Sequence, residues 1–237
     1  MNTDFNSNSN SKPDSGSQGE PLSTKKIYSG SPQGPLSAKK IFTVRNITVT
    51  AMMSAVSFVL MLLEVSTPLT PAFLKFDLSD LPALISALSL GPLWGAAVEL
   101  IKNALHLPFS GTAGVGELAN FLVGVALVIP AGWVYRKVRT RRGALIGCLV
   151  GTVASAVLSF PVNFFITYPF YAATMIPMEA ILDMYHAILP TANTLPRALL
   201  IFNVPLTLVK CLCCTAVTFA VYKRLSPILK GTRQLRR

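Results

Sequence analysis

The sequence predicts an all-α membrane protein of six transmembrane helices with both termini on the cytoplasmic side. Three observations carry that expectation. Apolar residues make up 51% of the 237-residue chain and charged residues only 13%, about half the charged share of a soluble domain. Apolar runs long enough to cross a bilayer recur along the chain, a crossing helix needing about 20 residues. The net charge of +11 is also unevenly placed, since seventeen of the 21 basic residues lie in three clusters, at 12–45, 136–142 and 223–237. Each cluster flanks an apolar run. A nucleic-acid surface would instead interleave basic with polar and aromatic residues on one folded face, so no nucleic-acid partner is expected. Basic residues at the ends of apolar runs mark the cytoplasmic side of a bilayer. Composition further excludes a disordered, collagenous or disulfide-stapled chain.

Residues 1–44 are rich in Ser, Asn, Gly, Pro and Lys. They have too little apolar surface for a core and are expected to form a flexible basic cytoplasmic tail. Within it, Pro21-Leu22-Ser23-Thr24-Lys25-Lys26-Ile27-Tyr28 returns as Pro35-Leu36-Ser37-Ala38-Lys39-Lys40-Ile41-Phe42. This reads either as a local duplication or as a basic-apolar segment resting on anionic lipid. No signal-peptide pattern is evident. Residues 45–225 form the expected membrane domain, and 226–237 a second basic cytoplasmic tail.

The first span covers about 47–63. Ala51 and Ala55 lie four apart on one face, with Ser54 and Ser57 nearby, a spacing of small residues that lets another helix approach closely. A Pro-rich loop follows to about residue 79. Ser79 or Asp80 can then cap a helix with Pro82 in its first turn. Gly91-Pro92 interrupts the next apolar run and predicts a hairpin of two short helices, about 80–90 and 93–106. After the Gly-rich loop 110–116, a fourth span runs over about 117–135 into the basic cluster. A fifth covers about 144–160 and is broken by Pro161. A long loop, about 166–196, carries the amphipathic stretch 178–188, and the sixth span covers about 198–222. Parity supports this count. With all three basic clusters inside, an even number of crossings must separate each pair, and only a split at Gly91-Pro92 satisfies that. The outer loops then hold Lys75 as their single basic residue.

The chain has no Gly-x-x-x-x-Gly-Lys-Ser/Thr phosphate loop, no His-Glu-x-x-His pair and no Gly-x-Ser-x-Gly elbow, so an ATPase, metalloprotease or serine hydrolase lacks its parts. An enzyme is therefore not expected. Cys211, Cys213 and Cys214 can hold a soft metal in principle, but with so few partners they read better as small packing residues, and no metal is expected.

Polar residues inside the spans say more, because such groups are expensive in lipid and usually line a cavity. Glu99 and Lys102 are three apart and can neutralise each other. Glu117 and Asn120 share a face at the start of the fourth span, and Asn163 follows Pro161. Lys210 lies within the sixth span with Asn203 and Thr207 on the same face and no acidic residue nearby in sequence. It must pair with a distant carboxylate, snorkel or meet a ligand. These positions point to an outward-open pocket roofed by loops, for a small polar-aromatic solute.

The segments Leu74-Lys75-Phe76-Asp77-Leu78-Ser79-Asp80-Leu81-Pro82, Gly91-Pro92, Glu99-Leu100-Ile101-Lys102-Asn103, Gly116-Glu117-Leu118-Ala119-Asn120, Pro161-Val162-Asn163-Phe164 and Tyr168-Pro169-Phe170-Tyr171 together carry a family resemblance over about residues 45–230. The chain resembles the substrate-binding S components of energy-coupling-factor (ECF) vitamin transporters, the riboflavin-specific member above all. The resemblance implies a six-helix fold in a bacterial cell membrane and a vitamin pocket beneath the first and fifth loops. It implies that riboflavin is the transported ligand, with no resident cofactor. Asn163 and Lys210 match positions that hydrogen-bond the flavin ring, and Thr207 stands where that member has a second Asn. Phe73, Leu74, Lys75, Glu117 and Asn120 complete the expected site. The resemblance further implies docking through Ala51 and Ala55 onto a transmembrane T subunit driven by two ATPase subunits. An S component for a different vitamin or flavin precursor is the alternative within the class, and a membrane enzyme or assembly protein the alternative outside it.

Overall fold

The structure, a computed structural model, describes residues 43–66 and 75–230, without the side chains of 66 and 222–230. The tail with its repeat, Phe73 and Leu74 of the first loop, and residues 231–237 lie outside the described residues.

Helix α1 spans Val44–Leu62 and buries Thr50, Ser54, Ser57 and Met61. Ala51 and Ala55 lie on its exposed side. The serines therefore do not join the alanine face as their spacing suggests but turn into the bundle. There Ser54 donates back to the Thr50 carbonyl of its own helix at 2.8 Å, and Ser57 donates to the carbonyl of Ser79, a partner that a hydroxyl facing lipid would lack. The loop that follows is closed at its base by a short antiparallel ribbon, β1 (Val65–Ser66) against β2 (Lys75–Phe76), with Val65 opposite Phe76 and Ser66 opposite Lys75. An ion pair between Lys75 and Glu64 fastens it.

Helices α2 (Asp80–Ser89) and α3 (Pro92–His106) form the expected hairpin about Gly91, whose φ of 124° suits glycine. They approach closely because Gly95 has no side chain. A Cβ there would lie 2.6 Å from Ala87 Cβ and 2.9 Å from the Ala83 carbonyl oxygen. Every α2 residue from Pro82 to Leu88 is buried, so this helix lies inside the bundle instead of facing lipid. Ser79 stands at its N-cap position, yet its hydroxyl does not cap. The Asp77 carboxylate takes the Ser79 N–H at 2.8 Å, while Ser79 Oγ accepts from Lys102 at 2.9 Å. Asp80 also turns away from the helix end, toward Lys102 and Lys210. Two buried ammonium groups thus take the Asp80 carboxylate in place of the backbone N–H groups at the helix start.

Helices α4 (Val115–Lys137) and α5 (Arg141–Val162) make the tightest long pairing. Thr140 caps α5, its hydroxyl accepting from Gly143 N–H at 3.0 Å. Gly147 and Gly151 then fall one turn apart against α4. A Cβ on Gly151 would lie 2.2 Å from the Leu127 carbonyl oxygen, and one on Gly147 2.7 Å from that of Ala131. This is the small-xxx-small approach that lets backbones touch where lipid supplies no hydrophobic drive.

Pro161 does not break the fifth span. The helix widens into a π segment, Asn163–Thr167, and continues as α6 (Tyr168–Thr174), giving one helical stretch from Arg141 to Thr174. Proline deletes one helical hydrogen bond, and within a membrane a wider turn that re-pairs the backbone costs less than an open break. The expected loop at 166–196 is accordingly mostly helical. It holds the rest of that helix and then α7 (Met178–Ile188), the amphipathic segment read from the sequence. The last stretch starts earlier than expected, at α8 (Leu195–Ala198). It passes through a second π segment, Leu199–Asn203, just before Pro205, and runs on as α9 (Val204–Lys230).

Among the described residues four helical stretches are long and apolar enough to cross a membrane: 44–62, 115–137, 141–174 and 195–221. At 10 and 15 residues, α2 and α3 are shorter. The buried core joins α2, α4 and α5 through Leu84, Leu88, Leu127, Val128 and Cys148. The outward faces are apolar, as at Val56, Val59, Ile146, Val153 and Val157. At the basic end of α4, Lys137 Nζ lies 4.5 Å from the centre of the exposed Trp133 ring, an arrangement suited to the headgroup layer.

Candidate functional site: a polar cavity at the loop end of the bundle

A cavity of about 460 Å³ opens at the end of the bundle opposite the 136–142 cluster. That volume lies in the range of small-molecule sites. Of the site residues read from the sequence, Asn163, Lys210, Thr207, Lys75, Glu117 and Asn120 all line it. Phe73 and Leu74 lie outside the described residues. Ala51 and Ala55 are on the exposed face of α1, away from the cavity.

One wall is ionic. Lys210 Nζ lies 3.0 Å from Asp77 Oδ2 and 3.1 Å from Asp80 Oδ2, and donates to Asn120 Oδ1 at 3.3 Å. The partner that the sequence around Lys210 does not supply comes from the entry to α2, 133 residues away. Behind this wall Lys102, wholly buried, pairs with Asp80 and lies 2.8 Å from Glu99 Oε2. The Glu99 contact is an ion pair without hydrogen-bond geometry.

A second wall comes from the end of α3 and the start of α4. Glu117 pairs with His106 Nδ1 at 2.9 Å and accepts from Ser110 at 2.7 Å and Thr112 at 3.3 Å. The carboxylate thus ties the Gly-rich loop to both helices. Phe109 stands beside His106, ring centres 6.3 Å apart.

The third wall is built on the two π segments. Asn163 donates to the Ser159 carbonyl at 2.7 Å and keeps a second N–H and its carbonyl oxygen for other partners. Asn203 Oδ1 accepts from Tyr185 at 3.0 Å, Tyr185 accepts in turn from the Tyr168 hydroxyl, and Tyr168 accepts from Asn203 Nδ2 at 3.3 Å. This cluster fixes α7 to the wall. Burial pushes the Tyr185 hydroxyl well above its usual range, so it acts there as a neutral donor and acceptor.

The sequence reading missed Asp77, His106, Tyr168 and Tyr171 as wall residues, took Asp80 only as a helix cap, and placed Asn203 only on the Lys210 face. An unpartnered intramembrane lysine was the available signal for Asp77 and Asp80; Tyr168 and Tyr171 stood in a segment that carried the family resemblance but were not placed in the wall, because their helix was taken for a loop. Among the described residues no group of three His, Cys, Asp or Glu side chains converges to hold a metal, and Cys213 is exposed while Cys211 and Cys214 are buried.

A cavity of this kind, enclosed by long apolar helices and lined by fixed donors and acceptors, suits a multi-pass membrane protein that binds a solute. Comparison with known proteins sharpens the class. Residues 45–222 match the family "ECF transporter, substrate-specific component". The chain is 32% identical over 193 residues to the riboflavin transporter FmnP of Bacillus subtilis, covering 80% of this chain and 96% of that one. It is 30% identical over 186 residues to the riboflavin transporter RibU of Staphylococcus aureus, covering 78% and 92%. Its fold superposes on a solved S component of a bacterial ECF transporter with a TM-score of 0.62 at 26% identity, covering 78% of this chain and 98% of that one. The chain belongs to the family of ECF transporter substrate-specific components. It is a multi-pass protein of the bacterial plasma membrane, and its part in transport is to bind the substrate, not to catalyse a reaction.

Proposed function

We propose that this chain captures riboflavin from outside the cell and delivers it inward as the S subunit of an ECF importer. The observation that carries the reading is the convergence of Lys210, Asn163, Asn120 and Thr207 on one cavity of about 460 Å³, in a chain whose relatives are riboflavin transporters. A flavin ring presents carbonyl oxygens and ring nitrogens along one edge. An ammonium and two carboxamides match such an edge with directed hydrogen bonds. The ribityl hydroxyls find Glu117, Thr112 and the Lys75–Glu64 pair nearer the mouth.

The topology in this proposal is six crossings with both termini inside, α2 and α3 together crossing twice. The parity of the three basic clusters supports it. The energy comes from separate subunits, a T subunit and two ATPases. Ala51 and Ala55, small and exposed on α1, suit the T-subunit contact.

Thr207 favours one variant of this reading, a different vitamin or flavin precursor as the better substrate, because a threonine hydroxyl is shorter than a carboxamide and lacks its separate donor and acceptor sides. Thermal unfolding of the purified protein with riboflavin, other flavins and other vitamins tests both. A ligand that binds only the folded state raises the melting temperature with concentration. Riboflavin should give the largest shift. A larger shift with another flavin moves the substrate, and no shift with any vitamin refutes the assignment.

A further inference from the structure

We propose that Asp80 is a positioning residue for the ligand, holding the Lys210 ammonium against the cavity through a line of alternating charges anchored on buried Lys102. The proposal rests on the riboflavin reading above. Five ionisable side chains form the line: Glu99, Lys102, Asp80, Lys210 and Asp77. Glu99 and Lys102 are wholly buried and do not line the cavity, whereas Asp80, Lys210 and Asp77 do. Among the described residues Asp80 is the link between the two halves. Its Oδ1 receives the Lys102 ammonium, and its Oδ2 lies 3.1 Å from Lys210 Nζ.

The buried half is built as an anchor. Lys102 lies 2.8 Å from Glu99 Oε2 and donates to Ser79 Oγ at 2.9 Å. Helix α4 is cut away to admit the Glu99 carboxylate, since a Cβ on Gly124 would lie 2.4 Å from Glu99 Oε2. Asp80 also stands on α2, the helix buried from Pro82 to Leu88, whereas Asp77 stands in the connection after β2. A rigid, buried element holds a binding group more accurately than a loop does. A lysine side chain has several rotatable bonds and loses much rotamer freedom when fixed. Fixing it before the ligand arrives removes that cost from binding. With Asp80 made neutral, only an amide would separate two ammonium groups, and Lys210 would shift from Lys102 toward Asp77, out of its place against the ligand.

Riboflavin titration of the purified full-length chain tests this, read by fluorescence quenching and by the visible absorption band of the bound flavin, which responds to hydrogen bonding at the ring. Asp80→Asn should bind riboflavin at least tenfold more weakly, and its band should move to the position found in Lys210→Ala. The double variant should bind no more weakly than Lys210→Ala alone, as expected for two residues acting through one contact. Wild-type affinity and band position in Asp80→Asn, or full additivity in the double variant, overturns the proposal. If Asp80→Asn yields no folded protein, Asp80→Glu decides. It keeps the charge but moves the carboxylate by one methylene, so weaker binding with a shifted band supports positioning, and wild-type binding overturns it. A wild type that leaves riboflavin unquenched overturns the parent reading and this one together. Quenching by the wild type with Asp80→Asn unaffected overturns this one alone.

Discussion

On the proposed reading riboflavin binding depends most directly on Lys210, which lines the cavity within 3.1 Å of both Asp77 and Asp80. On that reading its replacement would remove a charged hydrogen bond to the ligand and leave Asp77 and Asp80 short of a partner. Charged hydrogen bonds are worth about 1.5–3 kcal/mol, so Lys210→Ala should weaken riboflavin binding about tenfold to a hundredfold. Ligand-dependent thermal stabilisation reads that loss, and an unchanged shift would remove Lys210 from the site. Thr207 makes the opposite test. Thr207→Asn adds a longer two-sided group, and one added neutral hydrogen bond of about 1 kcal/mol corresponds to about fivefold tighter binding. Lys210, Asn163 and Asn120 were legible in the sequence because an unpartnered polar group within a span is costly enough to need a reason. Asp77 and Asp80 were not read as its partners, because the contact closes only in three dimensions, across 133 residues for Asp77.

The elements place these side chains through their irregularities. The π segment after Pro161 keeps the helix running while turning Asn163 and Thr167 toward the cavity, and the segment before Pro205 does the same for Asn203. Such bulges recur at functional sites because they rotate the side chains beyond them. Pro161→Ala should let the helix regularise and reorient Asn163. Riboflavin binding should then weaken while the ligand-free melting temperature holds or rises, which titration and melting together can separate. Where α4 meets α5, Gly151→Ala forces a Cβ against the Leu127 carbonyl. Overpacking of this kind costs about 1–3 kcal/mol, which should appear as a lower melting temperature with or without ligand. The hairpin break at Gly91-Pro92 and the amphipathic α7 were legible from breaker residues and periodicity. The continuation through Pro161 was not, since proline signals a stop in water but only a local widening where every backbone group must stay paired. The β1–β2 ribbon was also illegible, being two residues a side within a Pro-rich stretch.

For the molecule as a whole, charge and apolar surface separate into zones. The basic residues of 136–142 lie at one end and the cavity at the other, with an apolar belt between them. The exposed alanine face of α1 stands apart from the cavity, so binding and docking should be separable. Ala51→Leu with Ala55→Leu should leave riboflavin binding intact while abolishing co-purification of the T and ATPase subunits and uptake by cells. Loss of binding in that variant would mean that α1 shapes the cavity instead. The overall class was legible in composition and in the three basic clusters, whereas the crossing count rests on α2 and α3, which are short enough that length alone does not decide it. The central claim, that the cavity is a riboflavin site, is tested most directly by titrating riboflavin with the purified full-length protein and following flavin fluorescence. The expected result is saturable quenching at one riboflavin per chain with nanomolar to micromolar affinity, shifted to about tenfold to a hundredfold higher concentration in Lys210→Ala. Fluorescence that stays unquenched across that range would contradict it.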